Sequence, residues 1–195
     1  MIQTLWRSTL AVVVLTLVLG LAYPLVLTGF AQVAFENKAD GSLIERNGTV
    51  VGSKLAAQAF TKPQYFHPRP SATDPAYNAG GTTFANLGPT NPDLTKAIRE
   101  RANAILKLER PYNPALTIGE IPVDAVTTSG SGIDPQISPA NARMQTPRVA
   151  KERGLSEERV AQLVAEHTQG RFLGIFGEPG VNVLELNLAL DEDSR

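Results

Sequence analysis

The sequence predicts a small α+β domain carried on one N-terminal transmembrane helix. Three observations predict this fold class. Residues 8–35 form an apolar run without a charged side chain, apolar residues recur at helical spacing further along the chain, and two later segments carry strand patterns. A long proline-rich segment separates the first hairpin from the first helix beyond the membrane. We therefore expect a small sheet with packed helices and a long Pro-rich segment on a single membrane anchor.

The apolar run has the length of a membrane span. About twenty residues, rising ~1.5 Å each, cross the ~30 Å hydrocarbon core of a bilayer. The run is longer than a signal-peptide core of roughly 7–15 residues, and the residues near Gly29 and Ala31 make a poor cleavage site. We expect an uncleaved transmembrane helix over residues 8–34, in which Pro24 marks either a kink or the outer end.

Charge beside the span predicts its orientation. Residues 1–7 carry the terminal amine and Arg7 but no acidic side chain, which favours a cytoplasmic N-terminus. Residues 35–195 are then an extracytoplasmic, periplasmic domain. The absence of cysteine excludes disulfides and thiol chemistry but fits either side of the membrane. The net charge of −1, without a basic stripe, argues against nucleic-acid binding.

The first half of the outer domain reads as a hairpin, an irregular segment and a helix. Residues 42–52 predict the hairpin, with Asn47-Gly48 supplying its tight turn. Residues 61–92 are rich in proline and lack hydrophobic periodicity, so they predict extended, irregular chain. A loop of that length in a compact domain is usually functional or disordered, and its aromatic residues argue against disorder. Asp93 is the predicted N-cap of a helix that runs to about Glu109.

The second half predicts alternating strands and helices. A strand over residues 121–128 leads into a Ser-Gly loop, after which Ser138 caps a helix with Pro139 at its first position. A further helix begins at Ser156 and closes at Gly170. Residues 181–190 alternate apolar and polar side chains over much of their length and predict a final strand.

The Ser-Gly loop admits several interpretations. The phosphate-binding pattern of a P-loop is missing, and Ser129-Gly-Ser131-Gly lacks the leading glycine of a nucleophile elbow. A Ser–His–Asp set is conceivable from Ser129 or Ser131, Asp134 and either His67 or His167. The local chemistry favours a plain junction between a strand and a helix.

The segment Tyr65-Phe-His-Pro-Arg-Pro-Ser71 places an imidazole and a guanidinium between rigid prolines. It is either a docking surface, where aromatic and arginine side chains anchor a partner, or a local clamp in which Arg69 binds backbone carbonyls. His167 lies on the apolar face of its helix and is expected in the core. Two histidines without cysteine or a dense acidic loop predict no metal site, and no convincing catalytic set emerges. The residues indicate a protein that acts by contact.

Ordered motifs extend along nearly the whole chain beyond the anchor. They are Tyr65-Phe-His-Pro-Arg-Pro-Ser-Ala72, Tyr77-Asn-Ala79, Asn86-Leu-Gly-Pro-Thr-Asn-Pro92, Ile121-Pro-Val-Asp124, Ser129-Gly-Ser-Gly-Ile-Asp-Pro135, Ile137-Ser-Pro-Ala140, Arg148-Val-Ala150, His167-Thr168, Gly170-Arg171, Gly177-Glu-Pro179 and Val181-Asn-Val-Leu-Glu-Leu-Asn187. Together they resemble the KdpC family, the C subunit of the bacterial high-affinity potassium-transporting ATPase. The chain departs from the family pattern at residues 80–85, at Met144 in place of tyrosine and at Gly180 in place of arginine.

The resemblance implies an accessory, non-pore and non-catalytic subunit of an ATP-driven potassium uptake complex in the bacterial inner membrane. Its implied partners are a channel-like potassium-binding subunit, a P-type ATPase subunit, a small single-span subunit and the lipid bilayer. The family is described as an assembly factor and as a catalytic chaperone that raises the ATP affinity of the ATPase subunit. ATP and potassium then belong to the complex, and no cofactor is expected to bind directly to this chain.

The expected topology places the domain in a compartment without ATP, so we expect any effect on ATP affinity to be indirect. The expected role is to cap or brace the channel-like subunit. The predicted docking residues are Tyr65, Phe66, His67, Arg69, Asn86, Asn91, Ser129, Ser131 and Asp134. The alternatives are a membrane-anchored extracytoplasmic serine hydrolase that uses Ser131 and His67, and an anchored solute sensor.

Overall fold

The computed structural model describes residues 1–193. The chain divides into two compact units, the first Met1–Val51 and the second beginning at Gly52.

The first unit is mainly one long helix. Helices α1 (Ile2–Leu17) and α2 (Tyr23–Ala34) are joined without a break by a π-helical segment, Val18–Ala22. This helix of 33 residues is long and apolar enough to cross a membrane, and none of its residues is buried within the protein. Pro24 follows the π-helical segment, whose wider turn leaves room for the proline ring; proline has no amide hydrogen to donate to that turn. The helix begins six residues before the predicted span, because the N-terminal flank up to Arg7 is also helical.

A short helix and a hairpin end the first unit. Helix α3 (Glu36–Ala39) precedes strands β1 (Leu43–Arg46) and β2 (Thr49–Ser53), which pair in a two-stranded sheet. Asn47 and Gly48 both have positive φ angles, 51° and 73°, as the predicted tight turn requires. The hairpin prediction is confirmed.

The second unit is the predicted α+β body. Its helices are α4 (Pro92–Glu109), α5 (Val123–Val126), α6 (Pro139–Arg153), α7 (Glu157–Glu166) and α8 (Val183–Asp193). Its strands are β3 (Gln136–Ile137), β4 (Thr168–Gln169) and β5 (Gly180–Asn182). They form an antiparallel sheet in the order β3-β5-β4, in which Val181 lies opposite Ile137 on one side and Thr168 on the other.

Two of the predicted strands are wrong. Residues 121–128 form the single turn α5 instead, since the Thr127 amide donates to the Val123 carbonyl. In the C-terminal segment the extended chain ends at Asn182, whose Oδ1 accepts the Glu185 amide at 3.1 Å and so caps α8. Within α8 the buried residues Val183, Leu186, Asn187 and Leu190 have helical spacing. Leucines alternate with polar residues in this segment, and that two-residue pattern concealed the helical spacing of the buried residues.

Most of the predicted helix boundaries are confirmed, including the end of α4 at Glu109. Ser138 accepts the Asn141 amide at 3.0 Å and Pro139 follows it, as predicted. Ser156 likewise caps α7. The predicted cap at Asp93 is wrong by two residues, because Asn91 accepts the Asp93 amide at 2.8 Å. Helix α7 ends before the predicted Gly170 because Thr168–Gln169 pairs with β5.

The core lies between the sheet and the last three helices. Buried side chains of α6, α7 and α8 pack with Ile137 and Val181 of the sheet, and one residue of the proline-rich segment, Phe66, is fully buried among them. The proline-rich segment is therefore attached to the core near its beginning.

Candidate functional site

A fully buried arginine holds the start of the proline-rich segment. Arg148 of α6 donates from Nε to Glu109 Oε1 at 2.8 Å and from Nη2 to Gln145 Oε1 at 2.7 Å. Its Nη1 donates to the carbonyls of Pro63 and Tyr65, the latter at 2.8 Å. A buried guanidinium is tolerated only when it is paired and its donors are satisfied, and these partners meet that need. Burial raises the pKa of Glu109, although the Arg148 charge acts in the opposite direction.

Two buried amide side chains complete this attachment. Asn187 Oδ1 accepts the Phe66 amide at 2.8 Å, and Asn187 Nδ2 donates to the Phe66 carbonyl at 2.9 Å. Gln145 makes the same pair of bonds to His67, at 2.7 and 3.1 Å. The two side chains satisfy the backbone as a neighbouring strand would. Residues 63–67 are thus fixed without belonging to a sheet.

A second set of contacts joins the proline-rich segment to the Ser-Gly loop. Arg69 forms an ion pair with Asp134 at 2.9 Å and donates to the Thr128 carbonyl at 3.4 Å. Ser71 Oγ donates to the Gly132 carbonyl at 2.7 Å. The structure therefore shows the local clamp at Arg69, and it brings together the two segments that carry most of the predicted docking residues.

At Gly132 the Ser-Gly loop lies against the proline-rich segment without room for a side chain. The φ angle of Gly132 is 73°, and a Cβ atom at this position would lie 2.7 Å from Thr73 Cγ2 and 2.9 Å from the Thr83 carbonyl oxygen. Both the backbone conformation and the missing side chain are therefore required. Gly130, two residues earlier, has neither restriction.

Asp124 fixes the start of α6, the helix that follows the Ser-Gly loop in the chain. Its carboxylate accepts the Ser138 amide at 2.8 Å, the Ser138 hydroxyl at 2.7 Å and Asn141 Nδ2 at 2.9 Å. Within the loop, Ser129 Oγ accepts the Gly132 amide at 2.9 Å and Ser131 Oγ accepts the Ile133 amide at 3.2 Å. Both serine side chains therefore stabilise turns.

The histidine and the aspartate of the hypothetical serine hydrolase are hydrogen-bonded to groups other than the serines. His67 Nε2 contacts the Lys62 carbonyl at 3.1 Å, while Asp134 binds Arg69 and the Gln136 amide. Within residues 1–193, no hydrogen bond joins His67 to Ser129 or Ser131. Burial and the nearby Arg148 charge lower the pKa of His67. The geometry thus lacks the nucleophile–base bond by which such sites are recognised.

The predicted docking residues differ in their access to solvent. Phe66 and Ser129 are buried, so their side chains are core and turn elements in the isolated chain, and direct contact of a partner with them stays a prediction. Tyr65, His67, Arg69, Asn91 and Asp134 are half-buried, and Asn86 and Ser131 are exposed. Sequence reasoning missed Gln145, Arg148 and Asn187, the residues that hold this region in position. The signal that could have found them is a polar side chain on an otherwise apolar, buried face of a helix.

The accessible part of this region is an outer edge, formed by residues 80–90 and 130–131. Phe84 is half exposed there, and Asn86 has a φ angle of 50°. A groove of about 500 Å³ runs along this edge. It is lined by Phe84, Ala85, Asn86, Leu87, Leu94, Thr127, Thr128, Ser129 and Gly130.

Comparisons with known proteins agree over nearly the whole chain. The family described as "K+-transporting ATPase, c chain" matches residues 5–192. A protein of Koribacter versatilis is 50% identical over 97% of this chain and 94% of its own length. Proteins of Rhodospirillum rubrum and Sorangium cellulosum are 53% and 52% identical over 98% of this chain and 97% and 98% of their own lengths. Each of the three is named a potassium-transporting ATPase KdpC subunit.

Proposed function

This chain belongs to the family of the C chain of the potassium-transporting ATPase, and we propose that it is an accessory, non-pore subunit that assembles and stabilises the ATP-driven uptake complex. The near-complete match over residues 5–192 carries the proposal, since it includes both the apolar helix and the outer body. The partners in this proposal are a channel-like potassium-binding subunit, a P-type ATPase subunit and a small single-span subunit.

The outer edge is the proposed docking surface for the channel-like subunit. Residues 80–90 are exposed, yet both of their boundaries are held in place. At one end Tyr77 Oη donates to the Arg69 carbonyl at 3.0 Å, and at the other Asn91 caps α4. A loop that is ordered before it binds loses less conformational entropy on association. Asn86 and Ser131 are the exposed polar side chains of the predicted set that lie on this edge.

Orientation decides how the chain affects ATP use. Arg7 on the short N-terminal flank favours a cytoplasmic N-terminus and an extracytoplasmic body. An effect on ATP affinity is then transmitted through the assembled complex as a coupling free energy and does not require this body to bind nucleotide. In this proposal the chain raises the ATP affinity of the ATPase subunit by stabilising one arrangement of its partners.

The decisive experiment is a pull-down of the full chain from membranes in mild detergent, followed by mass spectrometry. The expected result is recovery of a multi-span potassium-binding subunit together with a P-type ATPase. Recovery of the chain alone, under conditions that preserve other membrane complexes, would refute the proposal.

Photo-crosslinking then locates the surface within the recovered complex. A photo-crosslinking amino acid at Asn86 or Ser131 is expected to form adducts with the channel-like subunit. The same probe at Glu158, which is exposed on the first turn of α7, is the matched control and should remain unreacted. Adducts at Glu158 but not at Asn86 or Ser131 would exclude the outer edge. Covalent labelling of Ser131 by a serine-hydrolase probe would instead favour an enzyme.

A further inference from the structure

A cavity of about 250 Å³ lies between α4, α6 and the proline-rich segment. Arg101 and Ile105 line it from one face of α4, because residues four apart lie on the same side of a helix. Met144 of α6 lines it from a second side, and Pro70 and Tyr77 of the proline-rich segment line it from a third. The cavity shares no lining residue with the groove of the outer edge, so it is a separate site.

The size and the lining of the cavity suit a small organic molecule. Its volume equals that of about eight water molecules in the liquid, which corresponds to roughly ten non-hydrogen atoms. Ile105, Leu108, Met144 and Tyr77 make much of the wall apolar. An apolar ligand body therefore gains free energy when it replaces water in this cavity.

Two hydrogen-bond acceptors on the cavity wall lack a donor. Glu109 is 2% exposed and its Oε1 accepts from Arg148, but within residues 1–193 its buried Oε2 has no hydrogen-bond partner. His67 Nε2 contacts the Lys62 carbonyl, which can only accept, so Nε2 carries the hydrogen and Nδ1 is left as an acceptor. A buried acceptor without a partner is unfavourable, and a ligand that brings a donor relieves that cost.

The cavity wall also carries a positive charge that is not balanced. Arg101 is half-buried and donates from Nη1 to the Val126 carbonyl at 3.0 Å, but in the described part of the chain it belongs to no ion pair. The acidic residue on the wall, Glu109, is already paired with Arg148. A guanidinium binds a carboxylate through two parallel N–H donors, which makes a carboxylate the fitting counter-charge for Arg101.

We propose that this cavity binds a small organic carboxylate that has a compact apolar body and a hydroxyl group at its far end. Arg101 binds the carboxylate, and the hydroxyl donates to Glu109 Oε2. Eight residues separate the two along α4, or ~12 Å of helix axis, so the polar groups of the ligand lie at opposite ends. An ammonium group fits less well than a hydroxyl, because it would face the Arg148 guanidinium beside Glu109. The inference goes beyond the proposed function, since such a site needs no partner subunit.

Three related probes test the chemistry of the site. 4-Hydroxybenzoate carries both polar groups, benzoate lacks the hydroxyl and phenol lacks the carboxylate. Calorimetric titration of each into the full chain in detergent, corrected for titration into detergent alone, measures the dissociation constants. We expect 4-hydroxybenzoate to bind roughly tenfold or more tightly than either of the others. Any other order of affinities, or no binding of 4-hydroxybenzoate, would overturn the proposal.

Substitutions then locate the bound molecule. Arg101→Gln should weaken 4-hydroxybenzoate binding by roughly tenfold or more and leave phenol binding unchanged. Arg99→Gln, at an exposed position of the same helix, is the matched control and should bind all three probes as the wild type does. Met144→Trp places a larger side chain against the cavity and should weaken the binding of all three.

The thermal unfolding midpoint of each variant without ligand shows whether the variant folds. Retained 4-hydroxybenzoate affinity in a folded Arg101→Gln variant would overturn the proposal. If Arg101→Gln does not fold, retained affinity in Met144→Trp would overturn it instead. Because these measurements use the chain without partner subunits, their failure leaves the proposed function standing.

Discussion

Residues 63–71 and residues 80–90 belong to the same proline-rich segment, but their surroundings differ. The first stretch is held by side chains of α6 and α8: Arg148, Gln145 and Asn187 satisfy its backbone, and Phe66 is fully buried. The second stretch is exposed along most of its length. The comparison shows how an irregular segment can serve two purposes, since one end is built into the core and so positions the other at the surface.

Loss of the buried ion pair between Arg148 and Glu109 is expected to cause the largest fall in the free energy of unfolding. Arg148→Met leaves the Glu109 carboxyl buried without its partner and deprives the Pro63 and Tyr65 carbonyls of their donor. Breaking a buried pair from one side costs about 3–5 kcal/mol of the free energy of unfolding. Urea unfolding of the full chain in detergent, followed by circular dichroism, measures this change. Arg143→Met, at an exposed position of the same helix, should cost less than about 0.5 kcal/mol.

A double variant sharpens this result. If the cost arises from the unpaired Glu109 carboxyl, Glu109→Gln combined with Arg148→Met should restore part of the lost stability. Equal stability of the single and double variants would instead place the whole cost in the lost carbonyl contacts.

Removal of the Asn187 side-chain amide, which binds the Phe66 backbone as a neighbouring strand would, is expected to cause the second-largest loss of stability. Asn187→Leu preserves approximate volume but leaves the buried Phe66 amide and carbonyl without partners. Each of the two unsatisfied buried groups costs about 1–3 kcal/mol and the buried leucine side chain offsets part of this, so the unfolding free energy should fall by roughly 2–4 kcal/mol. Asn103→Leu, on the exposed face of α4, is the control for the change in residue type. Similar losses in the two variants would contradict the role assigned to Asn187.

A side chain at the close approach between the two segments is expected to have a smaller effect. Gly132→Ala must displace Thr73 or the Thr83 carbonyl and also occupy a positive φ angle. We expect a loss of about 1–3 kcal/mol in unfolding free energy. The effect should extend to residues 80–90 as faster hydrogen exchange, because Thr83 lies in that stretch. Gly130→Ala meets no atom within 4 Å and should leave both measurements unchanged.

The sequence predicted the features that depend on neighbouring residues. Asn47-Gly48 specifies its turn and Ser138-Pro139 its helix start through local chemistry, and the family match follows from motifs in order along the chain. The predicted C-terminal strand is wrong because the leucines of residues 184–190 satisfy both a two-residue and a helical period, and the Asn182 cap together with packing against α7 selects the helix. The roles of Arg148 and Asn187 could not be predicted, since their partners lie 83 and 121 residues away along the chain.

Acidification is expected to give the smallest effect, through His67 at the edge of the fixed stretch. Burial and the Arg148 charge lower the pKa of His67 in the folded protein, so below its ordinary value of about 6.5 the unfolded chain binds a proton that the folded protein resists. Above that value the histidine is neutral in both states and contributes nothing, whereas below it the contribution opposes folding more and more as the pH falls. His67→Gln should flatten the decline in unfolding free energy between pH 7 and 5.5, whereas His167→Gln serves as the control. A decline of unchanged slope in His67→Gln would assign the pH dependence to other groups, and the fixed stretch would then be insensitive to the charge of its one histidine.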